Sequence, residues 1–136
     1  MTLKSFVDTV AWIALVNTRD SLHEKAREIF AELRRQNYKF ITTEFVLLEF
    51  ANALSAPDFR GKAAVFIEGL TQSLDVEIIP ASSELFALGF ELYRNRSDKQ
   101  WSLVDCTSFV VMNKEFITEA FTEDHHFEQA GFSKLI

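Results

Sequence analysis

Cysteine is almost absent from this chain of 136 residues, which has Cys106 as its single copy. One cysteine cannot form a disulfide within the chain, so a disulfide-stabilised scaffold is excluded and a reducing cytoplasm is the expected compartment. Cysteine and histidine do not cluster either, which disfavours a structural zinc site.

Long apolar runs and an excess of positive charge are also missing. No run approaches the length of a membrane span, so we expect no membrane association. Asp8 interrupts the apolar N-terminal stretch and no small-residue cleavage site follows, so we expect no signal peptide. The formal net charge is −6, which counts against a nucleic-acid binder, although carboxylates that hold a metal add charge that the cation offsets.

The composition is that of one globular domain, which we expect to span residues 1–136. Hydrophobic residues make up 48% of the chain and charged residues 25%, a balance that argues against disorder. Phenylalanine occurs 14 times, and aromatic side chains of this kind dominate buried area. The length allows a sizeable core.

Short β-like runs alternate with longer helical runs along the sequence. The predicted strands are Leu3–Val7, Tyr38–Thr42, Val76–Ile79 and Phe116–Phe121. The predicted helices are Thr9–Val16, one after Ser21, Glu44–Leu54, Gly61–Leu74, one from Ser82 or Ser83 to Asn95, and Ser102–Asn113. The alternation implies crossover connections, and so a mainly parallel sheet with helices on both faces.

Local signals set the expected helix ends. Ser21 followed by Glu24 is typical of a capping box, which would begin the second helix. Thr43 is expected to cap the third helix, and Pro57 to stop it. Gly131 and a final edge segment are expected to follow the last clear strand.

Two acids directly follow predicted strands. Asp8 comes after the first strand, and Asp124 comes after the last clear one, with Glu123 beside it. Ligands of open parallel sheets bind beyond the carboxyl ends of strands, so both acids are candidate site residues. Each also has an ordinary explanation, because aspartate is a common helix N-cap.

Two further acids lie in apolar helices. Glu49 is flanked by hydrocarbon side chains, and an exposed position on the outer helix face is its ordinary alternative. Asp105 lies near the start of an almost wholly apolar helix, where the helix dipole alone would favour a negative charge. A carboxylate that is packed among apolar residues needs a partner, a proton or a cation.

All four acids can converge on one crevice at the sheet edge. Clustered carboxylates repel one another, so without metal some would have raised pKa values. A hard divalent cation removes that conflict, and Mg²⁺ and Mn²⁺ prefer oxygen ligands and retain waters. The sequence therefore predicts a Mg²⁺ or Mn²⁺ site built from Asp8, Glu49, Asp105 and Asp124.

These residues in their order and context resemble the PIN-domain nucleases, and among them the VapC toxins of bacterial and archaeal toxin–antitoxin modules. The matching stretches are VDTVAWIAL, TTEFVLLEFANAL, SLVDCTSFVVM and AFTEDHHFEQAGFSKL. The last two are the most specific, and the resemblance covers nearly the whole chain. The family's acids fall on Asp8, Glu49, Asp105 and Asp124, and Thr9 supplies the hydroxyl that typically follows the first of them.

The resemblance implies a three-layer α/β/α fold with a mainly parallel central sheet. It also implies a Mg²⁺- or Mn²⁺-dependent endoribonuclease that forms a homodimer and is neutralised by a cognate antitoxin. Asp8 and Asp105 would be the main metal ligands and Asp124 a further one, while Glu49 would be an outer ligand or the base. His126 follows the family pattern two residues after the last acid, where a phosphate contact and a packing role are both open.

A basic loop precedes Asp105 and contains Arg94, Arg96 and Lys99. These side chains are candidate RNA contacts, because phosphate charge supplies most of the binding affinity of nucleic-acid complexes. A solvated loop is the equal alternative. A set of aromatic residues could line a hydrophobic dimer or antitoxin groove, or could lie in the core: Trp12, Phe45, Phe50, Phe59 and Phe66.

Two other function classes remain open. A PIN-like module that binds protein or RNA without catalysis would lack metal binding and cleavage, and the complete acid set argues against it. A receiver-type phosphoryl-transfer domain would need adjacent acids near the first strand, where only Asp8 is present.

Overall fold

Five parallel strands form the single sheet of the computed structural model, which describes residues 2–136. The strands are β1 (Lys4–Val7), β2 (Lys39–Thr43), β3 (Val76–Ile79), β4 (Glu119–Phe121) and β5 (Ser133–Lys134). The helices are α1 (Thr9–Val16), α2 (His23–Arg35), α3 (Glu44–Ala53), α4 (Pro57–Gln72), α5 (Ser83–Asn95), α6 (Leu103–Lys114) and α7 (His125–Gln129). No helix within this range is long and apolar enough to cross a bilayer.

The strand order is β3-β2-β1-β4-β5, with β1 in the centre. The chain runs outward from β1 to β3 and then returns to the other side of β1 for β4 and β5. The carboxyl ends of β1 and β4 therefore flank the point where the strand order reverses, and ligands of open parallel sheets bind at such a point. The expected mainly parallel sheet is confirmed, and all of its strand pairs are parallel.

Helices cover both faces of the sheet. Phe6 and Val7 are neighbours in β1, so their side chains point to opposite faces, and both are fully buried. The same holds for Phe40 and Ile41 in β2. The expected three layers are therefore present.

Each face has its own aromatic core. On one face Phe40 of β2 packs against Phe30 of α2, with their ring centroids 4.6 Å apart. On the other face Phe6 of β1 contacts Phe127 of α7, which packs edge-on against Phe109 of α6 at 4.9 Å. This second core fixes α6 and α7, whose first turns hold Asp105 and the cap Asp124.

The capping box expected at Ser21 is wrong. The second helix begins at His23, Leu22 occupies its N-cap position, and no side chain caps it. The preceding turn is organised by Asp20 instead, whose Oδ1 accepts a hydrogen bond from the Leu22 N–H at 2.9 Å. Thr43 does cap α3, as expected, by accepting a hydrogen bond from the Val46 N–H.

Pro57 begins a helix rather than ending one. The helix α3 ends at Ala53, and Pro57 is the first residue of α4, four residues earlier than the expected start at Gly61. Proline suits this position because its fixed φ angle is helical and its missing N–H would have no partner there.

The strand expected from Phe116 starts only at Glu119. Phe116 instead ends helix α6 in the left-handed conformation, with a φ of 55°, and its side chain is 91% exposed. The Ile117 N–H donates to the Met112 carbonyl at 2.8 Å, which completes a Schellman motif. Glycine or asparagine is usual at this position. The segment has β-forming residues instead, so its sequence did not indicate a helix end.

We expect Phe116→Gly to raise the free energy of unfolding by up to about 1 kcal/mol, because left-handed backbone strains a residue that has a Cβ by roughly 1–2 kcal/mol and glycine is free of that strain. Urea denaturation measures the difference. Phe116→Ala is the matched control, since it removes the same exposed ring but keeps the Cβ. Equal stability of the two variants would contradict the strain.

Candidate active site

Asp8 lies buried at the carboxyl end of the central strand. It occupies the N-cap position of α1 but makes no capping hydrogen bond with its side chain, and it is 2% exposed. Its Oδ2 accepts a hydrogen bond from the Thr122 hydroxyl at 3.0 Å. Helix capping therefore does not explain this carboxyl group.

Burial and neighbouring negative charge raise the pKa of Asp8. Desolvation is the largest cause and the charge of Asp105 the second. Together they outweigh the hydrogen bonds from the Thr9 backbone N–H and the Thr122 hydroxyl and bring the pKa of Asp8 to about 7. The charge of Glu49 acts in the same direction. An ionised Asp8 therefore needs a compensating positive charge near neutral pH.

Thr122 joins the two strand-end acids, and sequence reasoning missed it. It is fully buried just after β4, and its Oγ1 both donates to Asp8 and accepts the Asp124 N–H at 3.0 Å. A hydroxyl two residues before an acid at a strand end was the available signal, since Ser and Thr side chains commonly bond the backbone two residues on.

Asp105 has both a capping and a clustered role. It forms a capping box with Ser102, in which its Oδ2 accepts the Ser102 N–H at 3.1 Å. The same oxygen lies 3.1 Å from Nδ1 of His126. Burial raises the pKa of Asp105, the Ser102 N–H opposes this, and the charge of Asp124 raises it further. The helix N-terminus thus holds this carboxyl group in place beside the other acids.

Asp124 caps α7 and stands beside two imidazoles. Its Oδ1 accepts the His126 N–H at 2.9 Å and lies 3.4 Å from Nδ1 of His126. Nδ1 of His125 is 3.8 Å from the same oxygen, and the His125 side chain is exposed. His126 therefore bridges Asp105 and Asp124 through one ring nitrogen.

Glu49 approaches the cluster from α3. It is half-buried, and its charge contributes to the raised pKa of Asp8. The charges of Glu49 and Asp105 therefore act on Asp8, and the charge of Asp124 acts on Asp105. Asp8, Asp105 and Asp124 are thus linked through Thr122 and His126, whereas Glu49 is linked to them only by the effect of its charge on Asp8.

The donors of this cluster fit a hard divalent cation. Four carboxyl groups contribute to it, as Mg²⁺ and Mn²⁺ prefer. The ligand atoms of Asp124, His125 and His126 all lie within 4.8 Å of one another, so imidazole nitrogens stand beside one of these carboxylates. The Thr9 hydroxyl is buried and has no hydrogen-bond partner among residues 2–136, although buried polar atoms are normally paired. A hydrated cation would supply both a counter-charge for Asp8 and water molecules for unsatisfied oxygens.

A family profile described as the PIN domain matches residues 5–133. The chain belongs to the PIN domain family. A curated protein of Mycobacterium tuberculosis named 23S rRNA-specific endonuclease VapC20 is 32% identical to it over 130 residues, which cover 96% of each chain.

Solved structures show the same architecture. The crystal structure of the M. tuberculosis VapC20, described as a Sarcin–Ricin loop cleaving toxin, has a TM-score of 0.85 at 29% identity and covers 96% of this chain and 97% of its own. VapBC2 of Rickettsia felis, bound to a promoter DNA fragment, has a TM-score of 0.68 at 15% identity and covers 98% of each chain. FitAcB of Neisseria gonorrhoeae reaches 0.66 at 16% and covers 96% of each chain. At these lower identities the likeness concerns the fold.

The three cations in the basic loop of this PIN domain differ in their carboxylate partners. Arg96 forms a bidentate pair with Asp98 and stacks over the Trp101 ring at 5.0 Å. Lys99 lies 3.9 Å from the same Asp98, whereas Arg94 makes no side-chain hydrogen bond or ion pair within residues 2–136. The hydrogen bonds and ion pairs of these residues do not join the three cations to the acidic cluster.

The sequence left five aromatic residues open, as members of the core or as the lining of a groove, and the structure separates them into two groups. Trp12 and Phe50 are fully buried and belong to the core. Phe45, Phe59 and Phe66 are only partly buried. These three remain available to line a surface groove.

Proposed function

We propose that residues 1–136 form one endoribonuclease domain, the toxin of a VapBC-type toxin–antitoxin module, which hydrolyses RNA phosphodiester bonds with Mg²⁺ or Mn²⁺. The cluster of four carboxyl groups at the sheet's reversal point is the observation that carries the proposal. The similar M. tuberculosis protein is named for cleavage of 23S rRNA, which supports ribosomal RNA as the substrate and the cytoplasm as the compartment.

The proposed ligands of the cation are Asp8 and Asp105, with Asp124 as a further ligand. Thr122 holds the Asp8 carboxylate, and the capping box with Ser102 holds that of Asp105, so neither group must be ordered when the cation binds. Such preorganisation lowers the entropic penalty of binding.

The reaction is the attack of water on phosphorus and the departure of one bridging oxygen. A bound divalent cation supplies a positive charge that eases deprotonation of water and offsets the charge of the phosphate. Glu49 is half-buried and its charge acts on Asp8. It would serve either as an outer ligand of the cation or as the base that accepts the proton of the attacking water. His126 can contact a phosphate oxygen through its second ring nitrogen while Nδ1 stays beside Asp105.

Purified protein should cleave ribosomal RNA with Mn²⁺ or Mg²⁺, and excess EDTA should abolish the cleavage. Asp105→Asn should abolish it as well, because a neutral amide is a poor ligand for a hard cation. Its amide oxygen can still accept the Ser102 N–H, so the circular dichroism spectrum and thermal midpoint should show a folded protein.

Cleavage that persists in EDTA, or a wild-type rate in Asp105→Asn, would contradict the metal mechanism. Absence of cleavage of any RNA, together with no heat of Mn²⁺ binding in calorimetry, would favour a PIN-like module that binds without catalysis.

We also propose a homodimer that pairs the exposed apolar face of α3 and the start of α5. Phe45 and Phe86 line an open cavity of about 370 Å³, and Leu48 lies one turn after Phe45 with 60% of its surface exposed. Apolar patches of this kind mark interaction sites.

Phe86→Glu should convert the homodimer to a monomer, because a charge would be buried in the interface. Light scattering should then give a mass near the 15.6 kDa of one chain instead of twice that value. Phe116→Ala removes an exposed ring elsewhere and should leave the dimer intact. A monomeric wild type would contradict the proposal.

The antitoxin is proposed to cover a separate apolar groove between α1 and α4. Leu15 and Val16 of α1 and Val65 and Phe66 of α4 line about 440 Å³ there, and Val65 is 69% exposed. An amphipathic segment of the antitoxin would fill such a groove with its apolar face.

A further inference from the structure

Exposed aromatic rings follow one face of α5 towards the basic loop. Phe86, Phe90 and Tyr93 are each 44–48% exposed. The rings of Phe86 and Phe90 are 6.5 Å apart and nearly parallel, and those of Phe90 and Tyr93 are 6.4 Å apart at 21°. A row of exposed, roughly parallel rings offers faces on which planar groups can stack.

The far end of this row forms one side of an open groove of about 750 Å³. Phe90 and Tyr93 line it together with the side chains of the basic loop and with Trp101 and Ser102. Its volume is within the range of about 300–1,000 Å³ that is common for ligand sites.

Positive charge dominates the groove although the whole chain is acidic. Arg94, Arg96 and Lys99 line it, and no carboxylate side chain does. Asp98 partly neutralises Arg96 and Lys99 from outside the lining, while Arg94 has no such partner within residues 2–136. The net charge of −6 makes this local excess of cations a distinct feature.

The groove adjoins the acidic cluster through Ser102. This residue is part of the lining, and its N–H donates to Oδ2 of Asp105. A polymer that lies in the groove therefore has its next phosphate close to the proposed cation site.

We propose that this groove binds an unpaired nucleotide of the substrate RNA, next to the nucleotide that is cleaved. The base stacks on Tyr93 and Phe90, and the phosphate contacts Arg94 and Lys99. Aromatic stacking of unpaired bases beside a cationic track is how proteins bind single-stranded nucleic acids. The proposal rests on the proposed ribonuclease function and names its recognition element.

Charge favours RNA over a second copy of this chain as the occupant. If this groove were the interface of a twofold-symmetric dimer, it would pack against its own copy. The three cations of one chain would then lie opposite the three cations of the other and repel them. The opposite end of the aromatic row, at Phe86 and Phe45, lacks this cluster of cations and suits a second copy better.

The test is RNA binding in EDTA by fluorescence anisotropy, so that cleavage does not interfere. The probes are an RNA hairpin with an unpaired loop and a blunt RNA duplex of equal length. Tyr93→Leu keeps an apolar side chain but removes the ring, and Arg94→Gln removes the unpaired cation. Arg27→Gln is the matched control, an exposed arginine on α2 that pairs with Glu24.

Tyr93→Leu should weaken hairpin binding by at least about 5-fold and leave duplex binding unchanged, because only unpaired bases can stack. Arg94→Gln should weaken the binding of both the hairpin and the duplex. It should also lower the number of counterions released on binding, read from the salt dependence of the affinity, by about one, whereas Arg27→Gln should change neither quantity. Wild-type hairpin affinity in Tyr93→Leu would overturn the proposal. So would a monomer–dimer change in light scattering of Tyr93→Leu, which would assign the face to a second copy.

Cleavage by the wild type with Mn²⁺ separates this inference from the proposed function. If the wild type cleaves RNA and Tyr93→Leu binds the hairpin normally, the nucleotide-binding role of the groove is wrong and the proposed ribonuclease function is supported. If the wild type binds the hairpin through Tyr93 but never cleaves RNA, the nucleotide-binding role of the groove is supported and the proposed ribonuclease function is wrong.

Discussion

Asp8→Asn should abolish RNA cleavage and at the same time stabilise the metal-free protein at pH 8. The loss of activity should be about 10³-fold or more, because the variant removes a main cation ligand and several kcal/mol of charge stabilisation with it. The gain in stability has a separate cause. The carboxyl group is 2% exposed, and its ionised form is disfavoured by burial and by Asp105.

The pH dependence of stability follows from the direction of this pKa shift. The pKa of Asp8 rises from 3.8 to about 7 on folding, so between these values the folded state holds a proton that the unfolded state has lost. The stability that this group contributes is complete below about pH 4 and is lost as the pH rises through 7. In EDTA the wild type should therefore lose a few kcal/mol relative to Asp8→Asn between pH 4 and pH 8, at about 1.4 kcal/mol per pKa unit.

Urea unfolding of both proteins in EDTA at pH 5 and pH 8 measures this difference. The variant should gain an advantage over the wild type that is smaller at pH 5 and larger at pH 8, because most of the interval between the two pKa values lies above pH 5. Mn²⁺ should raise the thermal midpoint of the wild type at pH 8 and leave that of Asp8→Asn unchanged, because ligands that bind the folded state stabilise it. A pH-independent difference between the two proteins would show that Asp8 does not titrate as the structure requires.

Thr122→Val should lower RNA cleavage by about 10–100-fold while the protein stays folded, as is common when a group that orients metal ligands is lost. Valine has nearly the same shape as threonine but lacks the hydroxyl. Its introduction leaves Oδ2 of Asp8 without its donor and the Asp124 N–H without its acceptor. Both strand-end acids therefore lose their orientation in one substitution.

Mn²⁺ affinity measured by calorimetry should fall by a similar factor in Thr122→Val, which separates a positioning role from a packing role. Thr122→Ser is the matched control, since it keeps the hydroxyl and loses a buried methyl group. Serine should retain most of the cleavage and of the Mn²⁺ affinity. Equal behaviour of the valine and serine variants would show that the hydroxyl does not position the acids.

Most elements of the fold could be predicted from local patterns. The strands β1 and β2, the N-cap at Thr43 and the start of α5 at Ser82 or Ser83 were recognisable because each depends on residues within one or two turns. Two errors arose where one local pattern resembled another. Phe116 has the letters of a strand but ends a helix, and Pro57 begins a helix where it was expected to end one.

The four acids could be named from the sequence, but their competing explanations could not be separated there. Asp124 and Asp105 do cap helices, and they also face the cluster, whereas Asp8 caps nothing with its side chain. Thr122 escaped notice because its partner Asp8 is 114 residues away in the chain. The pairing of Arg96 with Asp98 was equally hidden, because it depends on how the loop folds back.

The sequence by itself determined that this chain is an α/β protein with acids at strand ends and in apolar helices. The reason is that hydrophobic periodicity and the residues that cap or end helices and strands are local properties. Only the tertiary structure decided that β1 and β4 are neighbours, that Asp8 is desolvated, and that Thr122 holds two acids together. The physical reason is that strand order and burial are set by packing across the whole chain. The pKa of Asp8 and the groove beside Tyr93 are consequences of that packing.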